Sequence, residues 1–173
     1  MKKTSLTIFF IVFFIQCHSQ EGQYNLYKNE DFKFRVQIPS DWTLYGQNIN
    51  NNNSMAIVDW GLPKIYSELE NAEIENSISV RAYRHQKIKS VEELITSEYF
   101  RINPIETSLE IDSTNANARI VYQTKNGLNY KGKIYFLYEN AIGYIVTFMA
   151  TPGTYDKNIN LFENFYKSIE FLK

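Results

Sequence analysis

The chain has 173 residues, 44% of them apolar and 16% aromatic, with 13 Tyr, 12 Phe and a net charge of −1. That length suits one domain with a real core, and that apolar content makes a folded chain the default reading over intrinsic disorder. A single cysteine excludes an internal disulfide framework and any multi-thiolate metal site. Removing Lys2 and Lys3 takes the charge to about −3, so no global attraction for nucleic acid or an anionic membrane is expected.

The chain opens with "MKKTSLTIFFIVFFIQCHSQ", two lysines followed by an apolar run from Leu6 to Ile15. The run is too short to span a bilayer and ends in small or polar residues, which reads as a secretory signal over 1–19. "FIQC" resembles a bacterial lipobox that would make Cys17 a lipidated first residue, although Gln16 stands where Gly, Ala or Ser is usual. The competing reading is an ordinary cut after Ser19. Lipidation is preferred, because a lone cysteine at the end of the apolar run needs a reason. Residues 20–25 read as a polar linker and 26–173 as a single domain. Export places that domain in the periplasm or outer membrane of a bacterial cell envelope, attached to the membrane through the lipid alone.

In "FKFRVQIPSDW", Phe32, Phe34, Val36 and Ile38 alternate with polar residues, predicting a strand with one buried face. Pro39 removes an amide donor and ends it, Ser40 and Asp41 form the turn, and Trp42 folds back over the core. Each residue of this corner has a structural task, so it reads as scaffold. A short strand "TLYG" and an asparagine-rich loop, "QNINNNNS", follow. "MAIVDW" (55–60) and "SISVRAY" (77–83) read as strands, and the acidic stretch between them as a loop with one helical turn. Ser90 and Glu93 form a capping box at the start of a helix that Pro104 stops.

The second half reads as a meander. "IETSLEI" and "ARIVYQT" are strands, and Asn126-Gly127 is a hairpin signal leading into "YKGKIYFLY". Glu139-Asn140 turns that strand into "AIGYIVTFMA", apolar enough to be a central strand covered on both faces. After "TPGT", Ile159, Phe162, Phe165, Tyr166 and Ile169 fall at helical spacing. The expected fold class is α+β, a central, mostly antiparallel sheet of about seven strands with helices packed on its faces.

The "IPSDW" strand end, the "ISVRAY" strand before a short helix and the ending "YIVTFMATPGTYDKNINLFENFYKSIEFL" resemble the PsbP-like family over nearly the whole mature chain. The resemblance implies a central antiparallel sheet with helices on its faces. It also implies a class dominated by non-catalytic accessory proteins, whose photosynthetic member is an extrinsic subunit of the water-oxidising complex. The leader here is a plain bacterial one, not a transit peptide. The family supplies no catalytic motif to carry across.

No other motif supplies one. His85 is the only histidine of the domain, the seven glycines are scattered, and there is no Gly-x-Ser-x-Gly elbow. The acidic group Glu68, Glu70, Glu73 and Glu75 lacks the pattern of a calcium loop and reads as solvated. No cofactor or metal is therefore expected. Tyr130, Tyr135, Tyr138 and Tyr144 could line a pocket for an apolar ligand, but core packing is the simpler reading. In "RAYRHQKIK", the residues Arg81, Tyr83, Arg84, His85 and Lys87 are the one candidate interaction patch, a basic rim for lipid headgroups or an acidic partner. The plainer reading is a strand end whose charges are solvated and partly offset by the acidic 68–75 loop. These observations point to a non-catalytic envelope protein that binds a partner or assists assembly. The alternative is a free exported binder with an aromatic pocket.

Overall fold

The computed structural model describes residues 23–50, 54–102, 106–125 and 127–173. The signal segment, Cys17, Pro104 and Asn126 lie outside the described residues. The first strand, β1 (Tyr24–Asn29), begins two residues inside the stretch expected to be linker, and its amides pair with β2 (Phe34–Pro39). Phe34, Val36 and Ile38 bury one face of β2 as their alternation demands, while Phe32 is equally buried in the turn before it.

Next come β3 (Thr43–Ile49) and β4 (Met55–Gly61). β3 continues through Gln47 and Asn48, which the asparagine-rich composition had suggested were loop, because the ladder to β4 satisfies their backbone. The acidic stretch holds no helical turn. It is a small hairpin of β5 (Ile65–Ser67) and β6 (Ala72–Ile74), turned at Asn71 with φ 49. Then follow β7 (Ser77–Tyr83) and α1 (Val91–Tyr99).

Ser90 caps α1 by accepting from the Glu93 amide at 3.2 Å. The reciprocal half of the expected box is displaced by one residue, since the Glu93 carboxylate accepts from the Lys89 amide at 2.6 Å. The helix stops at Tyr99, and Phe100, which follows it, is 86% exposed.

The meander is β8 (Thr107–Ile111), β9 (Ala118–Lys125), β10 (Leu128–Glu139) and β11 (Ile142–Ala150). Gly127 has φ 77 between β9 and β10, as a primed hairpin turn requires. The β10–β11 turn sits one residue later than expected, at Asn140 and Ala141, with φ 51 and 61. α2 (Pro152–Lys167) also starts earlier than its apolar spacing suggests, because "TPG" is its first turn, with Pro152 leading the helix. A short β12 (Glu170–Phe171) returns to pair with β2.

Seven strands form one antiparallel sheet in the order β3-β4-β7-β11-β10-β9-β8, and β11 lies at its centre. β1, β2 and β12 form a second, three-stranded sheet. α2 and that small sheet cover one face of the large sheet, around Trp60, Ile78, Val80, Val146, Phe148 and Phe162. On the opposite face α1 covers a smaller core of Leu94, Ile95, Val121, Ile134, Phe136 and Ile145. The fold is the expected α+β sheet with a helix on each face. Among the described residues, no helix is long and apolar enough to cross a membrane.

Candidate functional site

Strand alternation divides the basic cluster. On β7, Val80 and Ala82 point into the α2-side core, so Arg81 and Tyr83 stand on the opposite face beside α1. The Arg81 guanidinium bonds the buried carboxylate of Glu98 on α1 and reaches the Tyr83 hydroxyl at 3.2 Å. Burial opposes the Arg81 charge, but Glu98 and Tyr83 outweigh it and leave the guanidinium pKa raised.

Arg101, just beyond α1, donates to the same Tyr83 hydroxyl at 2.7 Å, with its guanidinium 5.3 Å from the ring centre. Arg84 turns to the other side, bonding the Asp31 carbonyl and lying 4.8 Å from the Phe32 ring centre. Nδ1 of His85 accepts from the Lys87 amide at 3.2 Å, which assigns the proton of the neutral ring to Nε2. Lys87 itself is exposed.

These side chains surround a cleft of about 320 Å³ between the end of β7, the start of β4 and α1. Leu94, Ile145, Met55 and Ile88 make its apolar walls, and Tyr83, His85 and Arg101 its polar ones. Shallower hollows continue from His85 and Ile88, one toward Tyr138 and another past Lys87 to the exposed Phe100. The structure therefore gathers Tyr83 and His85 at one opening, leaves Arg84 at its edge with the guanidinium turned away onto Phe32, sets Lys87 beside it, and puts Arg81 behind it.

The expected offset of these charges by the 68–75 loop is not what the geometry shows. Glu98 neutralises Arg81, while Glu70 serves α2. It accepts from Ser67 and, at 3.1 Å, from the Gly153 amide in the first helical turn. Burial opposes the Glu70 charge, but those hydrogen bonds hold its carboxyl below the usual range. Glu75 is bonded to Tyr45, pushing that hydroxyl up to about 12. Glu98 and Arg101 escaped the sequence reading. The available signal was a charged residue at i+4 from Leu94, on the face of α1 that must pack against the sheet.

The "IPSDW" corner is scaffold. The Trp42 amide bonds the Pro39 carbonyl at 3.1 Å, closing the turn without the Asp41 carboxylate, and the Trp42 ring stacks on Phe165. The four tyrosines do not converge. Tyr135 and Tyr144 are core residues, Tyr144 donating to the Phe32 carbonyl at 2.8 Å, while Tyr130 and Tyr138 are half-buried beside different hollows.

A second polar cluster lies under α2. Lys133 Nζ is 2.8 Å from both Asp112 and Glu163, and the Tyr135 hydroxyl donates to Glu163 at 2.8 Å. Burial works against the Lys133 charge, but its bonds to Asp112 and Glu163 outweigh it and raise its pKa, so this amine stays protonated at neutral pH. Bonded to Asp112 on one side and Glu163 of α2 on the other, Lys133 clasps the helix to the sheet. Among the described residues, no group of three or more His, Cys, Asp or Glu is placed to hold a metal ion.

This arrangement belongs to a class defined by its sheet and layers. No family model and no curated protein matches the chain. Solved structures similar to it include a cyanobacterial PsbP, CyanoP from Synechocystis sp. PCC 6803, at 12% identity over 89% of this chain and 95% of that one, with a TM-score of 0.49. They also include PA94 from Pseudomonas aeruginosa, a protein of unknown function, at 14% identity over 82% and 92% and a TM-score of 0.49. A third comes from Bacteroides thetaiotaomicron VPI-5482, at 14% identity over 86% of this chain and a TM-score of 0.47. The chain spans about half the length of that protein, 48%. A PsbP is thus among the structures it is similar to, as the sequence resemblance implies.

Proposed function

We propose that this protein is a non-catalytic binding module of the bacterial cell envelope. It is exported by residues 1–19, tethered by a lipid on Cys17, and engages its partner through the cleft between β7 and α1. The observation that carries this reading is the cleft itself: an apolar floor with Arg101 and His85 at its polar side and the exposed Phe100 nearby. Large apolar side chains left in water beside cationic ones are the composition of an interaction surface. The other cluster of charges, around Lys133, is committed within the fold, its one cation bonded to both Asp112 and Glu163.

The tether is tested by the intact mass of the mature protein, purified with detergent from a bacterial host. A chain starting at Cys17 and carrying acyl mass is expected. A bare chain starting at Gln20 removes the tether and leaves a free exported domain. The surface is tested by reversing Arg84 and Lys87 to Glu. Binding to envelope partners, followed by crosslinking in intact cells, should fall, and unchanged crosslinking would remove this surface from the reading.

A further inference from the structure

The walls of the β7–α1 cleft differ sharply in chemistry, and together they select a ligand. Leu94 and Ile145 are 2% and 1% exposed, and with Met55 and Ile88 they make an apolar bed. Among the described residues of the lining the one carboxylate, Glu98, is already paired with Arg81. Among the donors of the lining, those of Arg101, His85 and Tyr83 stand together.

Arg101 commits one N–H to Tyr83 and carries four more on a planar fork that matches carboxylate or phosphate oxygens. His85, with Nδ1 engaged as an acceptor, offers Nε2–H. The Tyr83 oxygen accepts from both Arg81 and Arg101, so its own proton is what it has left to give. A cleft of about 320 Å³ lies at the lower end of small-molecule pockets, about 300–1,000 Å³, and has room for one short chain.

We propose that this cleft binds a single-chain amphiphilic anion. Its carboxylate or phosphate headgroup sits at Arg101, His85 and Tyr83, and its hydrocarbon chain lies on Leu94, Ile145, Met55 and Ile88. The inference deepens the binding-module reading by naming the chemistry of its site, and rests on that reading only for the place of the cleft. Such an anion has two sources, a free fatty acid or alkyl phosphate, or the headgroup region of an anionic lipid.

Calorimetric titration of the mature protein separates them. The probes are octyl phosphate below its micelle concentration, inorganic phosphate, and vesicles of phosphatidylglycerol. Octyl phosphate should bind one to one, with inorganic phosphate weaker by about a hundredfold for want of the chain. Arg101→Gln and His85→Gln should each weaken octyl phosphate by about tenfold, and Ile88→Ser should weaken it without affecting inorganic phosphate. His85 and Arg101 lie outside the regular elements, so unchanged thermal midpoints would separate lost binding from lost fold.

Octyl phosphate bound without vesicles identifies a free amphiphile. Both bound with the same Arg101 dependence identifies a lipid headgroup. Vesicles bound without octyl phosphate, inorganic phosphate bound as tightly as octyl phosphate, or binding indifferent to Arg101→Gln would each overturn the proposal. An acylated Cys17 with no octyl phosphate binding would leave the tethered module standing without this ligand. Octyl phosphate binding by an unacylated chain would leave the ligand standing without the tether.

Discussion

Trp42 lies stacked on Phe165 of α2, ring centres 5.7 Å apart and planes inclined by 23°. Phe165 in turn meets Trp60 of β4 at 5.4 Å, so the corner after β2, the C-terminal helix and the large sheet share one aromatic junction. Trp42 is 8% exposed. Trp42→Ala would leave a cavity that α2 cannot fill without moving, at a cost of about 3–5 kcal/mol. Urea unfolding followed by tyrosine fluorescence or circular dichroism measures this. Stability equal to the parent would return the corner to the list of candidate sites.

Lys133 holds two carboxylates, and the acid limb of stability should report it. The Lys133 and Thr114 hydrogen bonds depress the Asp112 carboxyl to about 2. An unfolded aspartate titrates near about 3.9. The folded pKa is the lower one, so the contribution is whole above about pH 5 and is lost as pH falls toward about 2. Asp112→Asn should flatten the decline of unfolding free energy across that window. An unchanged slope would show that Asp112 is not the group responsible.

The alkaline side has the opposite sign. Burial above all pushes the Tyr135 hydroxyl up to about 12, and the unfolded phenol ionises near about 10. Its contribution is whole below about pH 10 and is lost as pH rises through the folded value. Lys133→Met would bring Asp112 and Glu163 together without a cation and should cost about 3–5 kcal/mol near neutrality. Much of that loss should return below pH 4, where the carboxylates can take up protons.

How far the sequence disclosed this protein depended on which force set each element. β7 runs from Ser77 to Tyr83 as the alternation of Ile78, Val80 and Ala82 requires, and β11 is apolar on both faces because helices flank the sheet at its centre. Burial wrote those patterns. The β5–β6 hairpin was hidden because three-residue strands under glutamates carry no period, and backbone pairing, the Asn71 turn and bonds to α2 specify them. Pro152 leads a helix whose apolar spacing becomes visible only from Ile159, because its fixed φ suits a first helical turn that carries no apolar stripe. At the candidate site, Arg81, Tyr83, Arg84 and His85 were visible as a cluster, but their division between two faces follows from alternation on a strand whose extent had to be known. The Glu98 partner lies 17 residues from Arg81, beyond the reach of local pattern.

The β10–β11 turn carries strain that one substitution should relieve. Asn140 and Ala141 both have positive φ, the geometry of a two-residue primed turn. Asparagine tolerates it, whereas alanine brings its Cβ too close to the backbone at a cost of about 1–2 kcal/mol. Ala141 is exposed, so its methyl contributes little packing. Ala141→Gly should stabilise the protein by about 1 kcal/mol after the greater freedom of glycine in the unfolded chain is deducted, raising the melting temperature by about 2–4 °C. A calorimetric scan decides it, and a lower melting temperature would mean that the turn is not held in this conformation.

The Arg81–Glu98 pair offers the sharpest separation of fold from site. Glu98 sits on the buried face of α1 and its side chain is 8% exposed, against 23% for Arg81. Arg81→Met strands a carboxylate against the apolar core of α1, and Glu98→Leu leaves a guanidinium with the Tyr83 hydroxyl and the nearby Asp59 but without its bonded carboxylate. Each single change should cost about 3–5 kcal/mol, because an uncompensated charge must then be desolvated. The double change removes both charges and should cost about 1–3 kcal/mol less than the sum of the two, the coupling that a double-mutant cycle reads. Arg101 keeps its bond to Tyr83 in the double variant, so a ligand held by Arg101 and His85 should still bind. Additive losses would mean that α1 is seated by its apolar residues alone. Loss of binding with stability restored would place Glu98 or Arg81 in contact with the ligand.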